Sequence, residues 1–118
     1  MIVRPNYMNF IRPYFNTPFV KILMGIRRCG KSTLLEMIMK EIINTGVKKE
    51  NIIYLHLDSY LNDNISNGKQ LYDFISSKIK DERVYIFIDE VQEATGWEKA
   101  INSLMVDHNV DIYVTGYN

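Results

Sequence analysis

Apolar residues along the chain follow two periods, and the periods alternate. "FVKILM", residues 19–24, is a short apolar, β-rich run ending at Gly25, which reads as a buried strand entering a loop. From Lys31 onward, Leu34, Leu35, Ile38, Ile42 and Ile43 recur at helical spacing, with Met37 and Met39 widening the stripe. Gly46 is placed to end that helix as a left-handed cap. "NIIYLHLD", residues 51–58, predicts a second strand, and the polar "SYLNDNISNGK" after it a loop. Leu71, Phe74, Ile75 and Ile79 mark a second amphipathic helix. "VYIFIDE", residues 84–90, is almost continuously apolar, as expected of a parallel strand covered by helices on both faces. A third helix follows: Thr95 and Glu98 fit a capping box, and Trp97, Ala100, Ile101, Leu104 and Met105 keep helical spacing. "VDIYVTG", residues 110–116, predicts a fourth strand.

Strand and helix alternating in this way imply parallel strands joined by right-handed crossovers, an α/β fold with helices on both faces of one sheet. The first eighteen residues hold Pro5, Pro13 and Pro18 and read as an extended or short helical lead-in. The expected organisation is a lead-in over 1–18 and a core over 19–118. A length of 118 residues suits a single domain with a real core. Formal net charge is zero, so no overall field draws the chain to nucleic acid or anionic lipid. Cys29 is the only cysteine, which rules out an internal disulfide and fits a reducing compartment. With no signal-like start and no apolar run of membrane-spanning length, the expected location is cytoplasmic. His56 and His108 have no partner at metal-ligand spacing and read as ordinary strand and helix-end residues.

The chemistry concentrates in "GIRRCGKSTLL". Gly25, Gly30, Lys31 and Ser32 match the G-x-x-x-x-G-K-[ST] phosphate-loop pattern, preceded by a predicted strand and followed by a predicted helix. Glycines let the backbone curl around a phosphate with its N–H groups pointing inward, and the helix N-terminus adds partial positive charge. The expected nucleotide cradle is Gly25, Ile26, Arg27, Arg28, Cys29, Gly30, Lys31, Ser32 and Thr33. Lys31 would reach the terminal phosphates, the Ser32 hydroxyl would bind Mg²⁺, and Thr33 would contact an inner phosphate. Arg27 and Arg28 serve either phosphate contact or pairing with nearby acids, or stand as exposed loop charges. Asp89 and Glu90 close the third predicted strand, where an acid points into the ligand crevice of such a sheet. Asp89 is expected to hold Mg²⁺, and Glu90 to orient and deprotonate an attacking water. Thr115 and Asn118, after the fourth strand, would sense the γ-phosphate or that water, or else form a plain turn.

Taken together, "GIRRCGKSTLL", "VYIFIDEVQEATGWEKAINSL" and "VDIYVTGYN" closely resemble the AAA-superfamily ATPases of bacteria and archaea. Those proteins carry a G-x-R-R-x-G-K-S-T-L-L loop, a D-E-[IV]-Q strand end and an I-T-G-S-N sensor. The resemblance implies Mg-ATP as ligand, Glu90 as catalytic base and Asn118 as sensor, with Tyr117 standing where the family has serine. It implies a sheet whose fourth strand lies between the phosphate-loop strand and the acid-bearing strand. Family members continue into a fifth strand beside the phosphate-loop strand and into further domains, so a truncated N-terminal part with an exposed sheet edge is expected. The implied function is the ATP-binding core of an AAA-type ATPase, hydrolysing ATP with magnesium in the intact protein and commonly working as a homo-oligomer. The alternative is a nucleotide-binding or self-associating fragment without measurable hydrolysis. The acid pair disfavours a small-molecule kinase, and the lack of an N-K-x-D motif disfavours a GTPase.

Overall fold

The alternating periods resolve into a single parallel sheet flanked by helices, in a computed structural model that describes residues 5–24 and 30–117, with side chains from residue 8. In chain order the regular elements are α1 (Pro5–Ile11), β1 (Lys21–Leu23), α2 (Lys31–Asn44), β2 (Ile52–His56), α3 (Gly68–Ser76), β3 (Val84–Asp89), α4 (Trp97–Asp107) and β4 (Val110–Thr115). The strands pair in the order β1-β4-β3-β2, every pair parallel. The fourth strand therefore lies inside the sheet, between the strand before the glycine loop and the strand bearing the acids, as the resemblance implied.

Side chains alternate across a strand, so β3 and β4 serve two cores at once. Ile86, Ile88, Ile112 and Val114 pack with Leu71, Ile75, Ile101 and Leu104 under α3 and α4. Tyr85, Phe87 and Tyr113 face the other way and pack with Leu35, Ile38 and Ile42 of α2 and Met8 of the lead-in. On that second face the rings stack from strand to strand: Tyr54 on Phe87 with centroids 5.9 Å apart, and Phe87 on Tyr113 at 5.1 Å. These spacings suit offset stacking and fix the lateral register of β2, β3 and β4 under α2.

The N-terminal ends of β1 and β4 hold a buried polar cluster. Lys21 and Asp111 form an ion pair, with side chains 2% and 0% exposed. Asp111 also accepts the Asn16 backbone N–H at 3.1 Å and the Tyr113 hydroxyl at 2.6 Å. Asn16 Oδ1 accepts from Tyr85 Oη at 2.7 Å and Arg83 Nε at 3.1 Å, which fastens the lead-in to the sheet. On its outer side β1 forms the sheet edge, with Phe19 and Ile22 exposed.

Helix ends partly follow expectation. Gly46 has φ 107° and donates to the Ile43 carbonyl, ending α2 in the left-handed manner anticipated. The Thr95–Glu98 capping box does not form. The residue capping α4 is Gly96, at φ 77° and without a side-chain bond, because the backbone of Thr95 is already engaged. Its N–H donates to the Ser66 carbonyl at 3.1 Å, and its carbonyl accepts from Gly68 N–H at 2.7 Å. The reciprocal cap belongs to α3 instead, where Asn67 Oδ1 accepts from Gln70 N–H at 2.9 Å and Gln70 Oε1 accepts from Ser66 N–H at 2.8 Å. Helix α3 ends at Ser76, so Ile79 packs from the following turn rather than from the helix. The two helix starts touch so closely that a Cβ on Gly68 would lie 2.4 Å from the Gly96 carbonyl oxygen. Among the described residues no helix is long and apolar enough to cross a membrane.

Candidate functional site

Parallel strands deliver their C-terminal ends to one edge, and there β3, β4 and the start of α2 converge. Of the predicted cradle, Gly25, Ile26, Arg27, Arg28 and Cys29 lie outside the described residues, as does Asn118. Gly30 caps α2 at φ 77°, ψ 23°, left-handed backbone that glycine adopts without a Cβ penalty. Lys31, Ser32 and Thr33 follow in the first turn of α2, where unpaired N–H groups and the helix dipole favour an anion. The Lys31 ammonium donates to the Gly116 carbonyl and sits 5.6 Å from the centroid of the Tyr117 ring.

Asp89 is the meeting point. The residue is 4% exposed, and the Ser32 hydroxyl donates to its Oδ2 at 2.6 Å. Thr115, itself fully buried, donates its hydroxyl to the other carboxylate oxygen. The same Thr115 Oγ1 accepts the Glu90 backbone N–H at 3.1 Å. Thr115 thus braces the acids from inside the sheet, rather than facing the crevice as a sensor. Leu57 N–H donates to the Asp89 carbonyl at 3.1 Å, tying the chain after β2 to the same strand end.

Glu90 has φ 57° and ψ 54°, left-handed for a residue with a Cβ. Such backbone costs on the order of 1–2 kcal/mol and persists only where surroundings enforce it. Here the bond to Thr115 holds one side, and the following 3₁₀ turn, Val91–Glu93, is anchored by fully buried Val91 and Ala94. The twist turns the Glu90 side chain away from the direction β3 would give it. Its Oε1 accepts from Gln92 Nε2 at 2.7 Å.

Two residues at the site escaped the sequence reading. His56 closes β2 in register with Asp89, its Nδ1 3.3 Å from Asp89 Oδ2 and its ring 4.7 Å from that of Tyr54. Only the strand order brings His56 to the acid, so it read as an ordinary strand residue. Gln92 is the second: it stands two residues after Glu90 and matches the Q of the D-E-[IV]-Q strand end, but the pattern alone assigns it no role. Beneath them, the Tyr54 hydroxyl is buried without a hydrogen-bond partner among the described residues. Burial foremost, then the charges of Asp89 and Glu36, push this phenol above its ordinary pKa, so it stays protonated.

The arrangement offers an ammonium, a helix N-terminus, a hydroxyl–carboxylate pair of hard oxygens and a second, more exposed carboxylate within one strand-end crevice. Among the described residues no cluster of three or more His, Cys, Asp or Glu side chains is placed to hold a metal without outside ligands.

A family model described as an AAA domain matches residues 17–118. The chain is 36% identical over 120 residues to an uncharacterized protein of Haemophilus influenzae, a match covering 100% of this chain and 30% of that protein. It is 26% identical over 98 residues to the uncharacterized protein MJ1637 of Methanocaldococcus jannaschii, covering 80% of this chain and 20% of that protein. The chain thus spans less than a third of the length of these curated relatives. No solved structure matches it.

Proposed function

This chain belongs to the AAA domain family, and from that premise we propose that it is the ATP-binding core of an AAA-type ATPase that hydrolyses ATP with magnesium in the intact protein. The observation that carries the reading is the 2.6 Å contact of Ser32 with Asp89 beside Lys31, which joins the glycine loop's helix to the acid-bearing strand. In this reading Gly25 to Gly30 cradle the phosphates through backbone N–H groups, and Thr33 contacts an inner phosphate. Lys31 exchanges the Gly116 carbonyl for the terminal phosphates. Ser32 and Asp89 are hard oxygen donors suited to Mg²⁺, whose remaining ligands would be water and phosphate oxygens. Bound there, the ion would neutralise charge on the phosphates. Thr115 and His56 hold the Asp89 carboxylate in place. Glu90 orients a water in line with the γ-phosphorus and accepts its proton, and Asn118 senses the terminal phosphate.

Residues 1–18 act as a lead-in to a core over 19–118, in a cytoplasmic protein that assembles as a homo-oligomer. The exposed β1 edge favours, as a second reading, a nucleotide-binding fragment that self-associates without hydrolysis. The test is phosphate release from ATP with no acceptor present. Release that requires Mg²⁺ and stops on its chelation is the expected outcome. Transfer to an added hydroxyl compound in preference to water would make the chain a kinase instead.

A further inference from the structure

The chemistry above leaves Gln92 without a part, although its amide is engaged at both ends. Its Nε2 donates to Glu90 Oε1 at 2.7 Å, and its Oε1 accepts the Tyr117 backbone N–H at 3.4 Å. The fit on the β4 side is close: a Cβ on Gly116 would lie 2.6 Å from Gln92 Oε1 and 3.1 Å from Met24 Sδ. Gly116 is not among the positive-φ glycines, so a methyl there would meet no backbone strain and would instead push on the end of the Gln92 side chain. The carbonyl of this same Gly116 receives the Lys31 ammonium. A continuous path therefore runs from Lys31, through the Gly116–Tyr117 turn, to the Gln92 amide and the Glu90 carboxylate.

We propose that Gln92 is a positioning residue that sets the orientation of the Glu90 carboxylate according to the state of the turn after β4. The proposal rests on the ATPase reading and adds a means of regulating that site. A planar amide bonded at both ends passes displacement of one end to the other. Glu90 cannot absorb that displacement in its own backbone, because Thr115 and the buried Val91 fix its left-handed conformation. When a terminal phosphate draws Lys31 from the Gly116 carbonyl, the turn loses one of its ties while the Gly116 N–H stays on the Leu23 carbonyl, and the resulting shift reaches Glu90 through Gln92. The base is thereby aligned when the phosphoryl group that its water is to attack is present.

Three variants test this: Gln92→Leu, Gly116→Ala and the pair combined. Gln92→Leu is expected to lower kcat by about ten- to hundredfold, the scale of a misplaced reacting group, with ATP affinity by calorimetry within about twofold. Gly116→Ala, whose methyl displaces the amide, is expected to reproduce that loss, and the double variant to lose no more than either alone. The side-chain ¹⁵N–H₂ resonance of Gln92 gives a readout independent of turnover. It is expected to shift on Glu90→Ala and again on Gly116→Ala. An unchanged kcat in Gln92→Leu, additive losses in the double variant, or a Gln92 resonance that ignores both substitutions would overturn the coupling. A resonance that responds to both, in a protein that binds but never hydrolyses ATP, would support the coupling and overturn the ATPase reading.

Discussion

Lys21→Met is expected to cost about 3–5 kcal/mol of folding stability, the range for removing one partner of a buried ion pair. Asp111 would be left fully buried without the ammonium, its remaining partners among the described residues being the Asn16 N–H, the Tyr113 hydroxyl and Arg83 Nη2 at 3.9 Å. Burial already draws the Lys21 ammonium below the usual lysine pKa, while Asp111 opposes the shift. The pair therefore stabilises little by itself, yet is damaging to break. In urea unfolding the midpoint should fall sharply at unchanged slope. Adding Asp111→Asn to Lys21→Met should restore part of the loss, since the stranded charge is then gone. A single variant that unfolds at the wild-type midpoint would contradict this account of the sheet's polar end.

Glu90→Gln is expected to keep ATP affinity and to lower turnover by about 10²–10⁴-fold, the usual contribution of a general base. The amide retains the size of the side chain and can still meet Gln92, so the left-handed turn and its bond to Thr115 should survive. Steady-state phosphate release and calorimetry on the same preparation separate the two effects. Undiminished turnover would remove Glu90 from the chemistry and leave its strained backbone without a role.

What the sequence revealed about the site and what it hid divide by range. The glycine loop and the Asp89–Glu90 pair are patterns within a few residues of chain, so their types and spacing can be read directly. The strand and helix periods were legible for the same reason, and strand ends were placed within a few residues. His56 became visible only through the register that sets it against Asp89, and that register depends on which strands are neighbours. For Thr115 the strand-end position leaves a sensor or a plain turn open, and only the fold shows its hydroxyl buried and turned inward to Asp89. Lys21 stands as a charge inside an apolar run, and its partner Asp111, ninety residues on, is brought close only by the pairing of Lys21 with Tyr113. The Thr95–Glu98 pattern satisfied local rules and lost to a tertiary one. Close approach of Gly68 and Gly96 claims the Thr95 backbone, and the cap passes to glycine.

Calorimetric titration of the chain and of Lys31→Ala with ATP in the presence of Mg²⁺ tests the central claim most directly. Lys31 stands in the first turn of α2, half-buried, where its ammonium reaches the end of β4. Its loss would remove the one side-chain cation that the reading assigns to the terminal phosphates. The account predicts saturable binding by the wild-type chain, with affinity at least about tenfold weaker in Lys31→Ala, equivalent to about 1.4 kcal/mol. Equal affinity in the two proteins, or no binding by either, would contradict it.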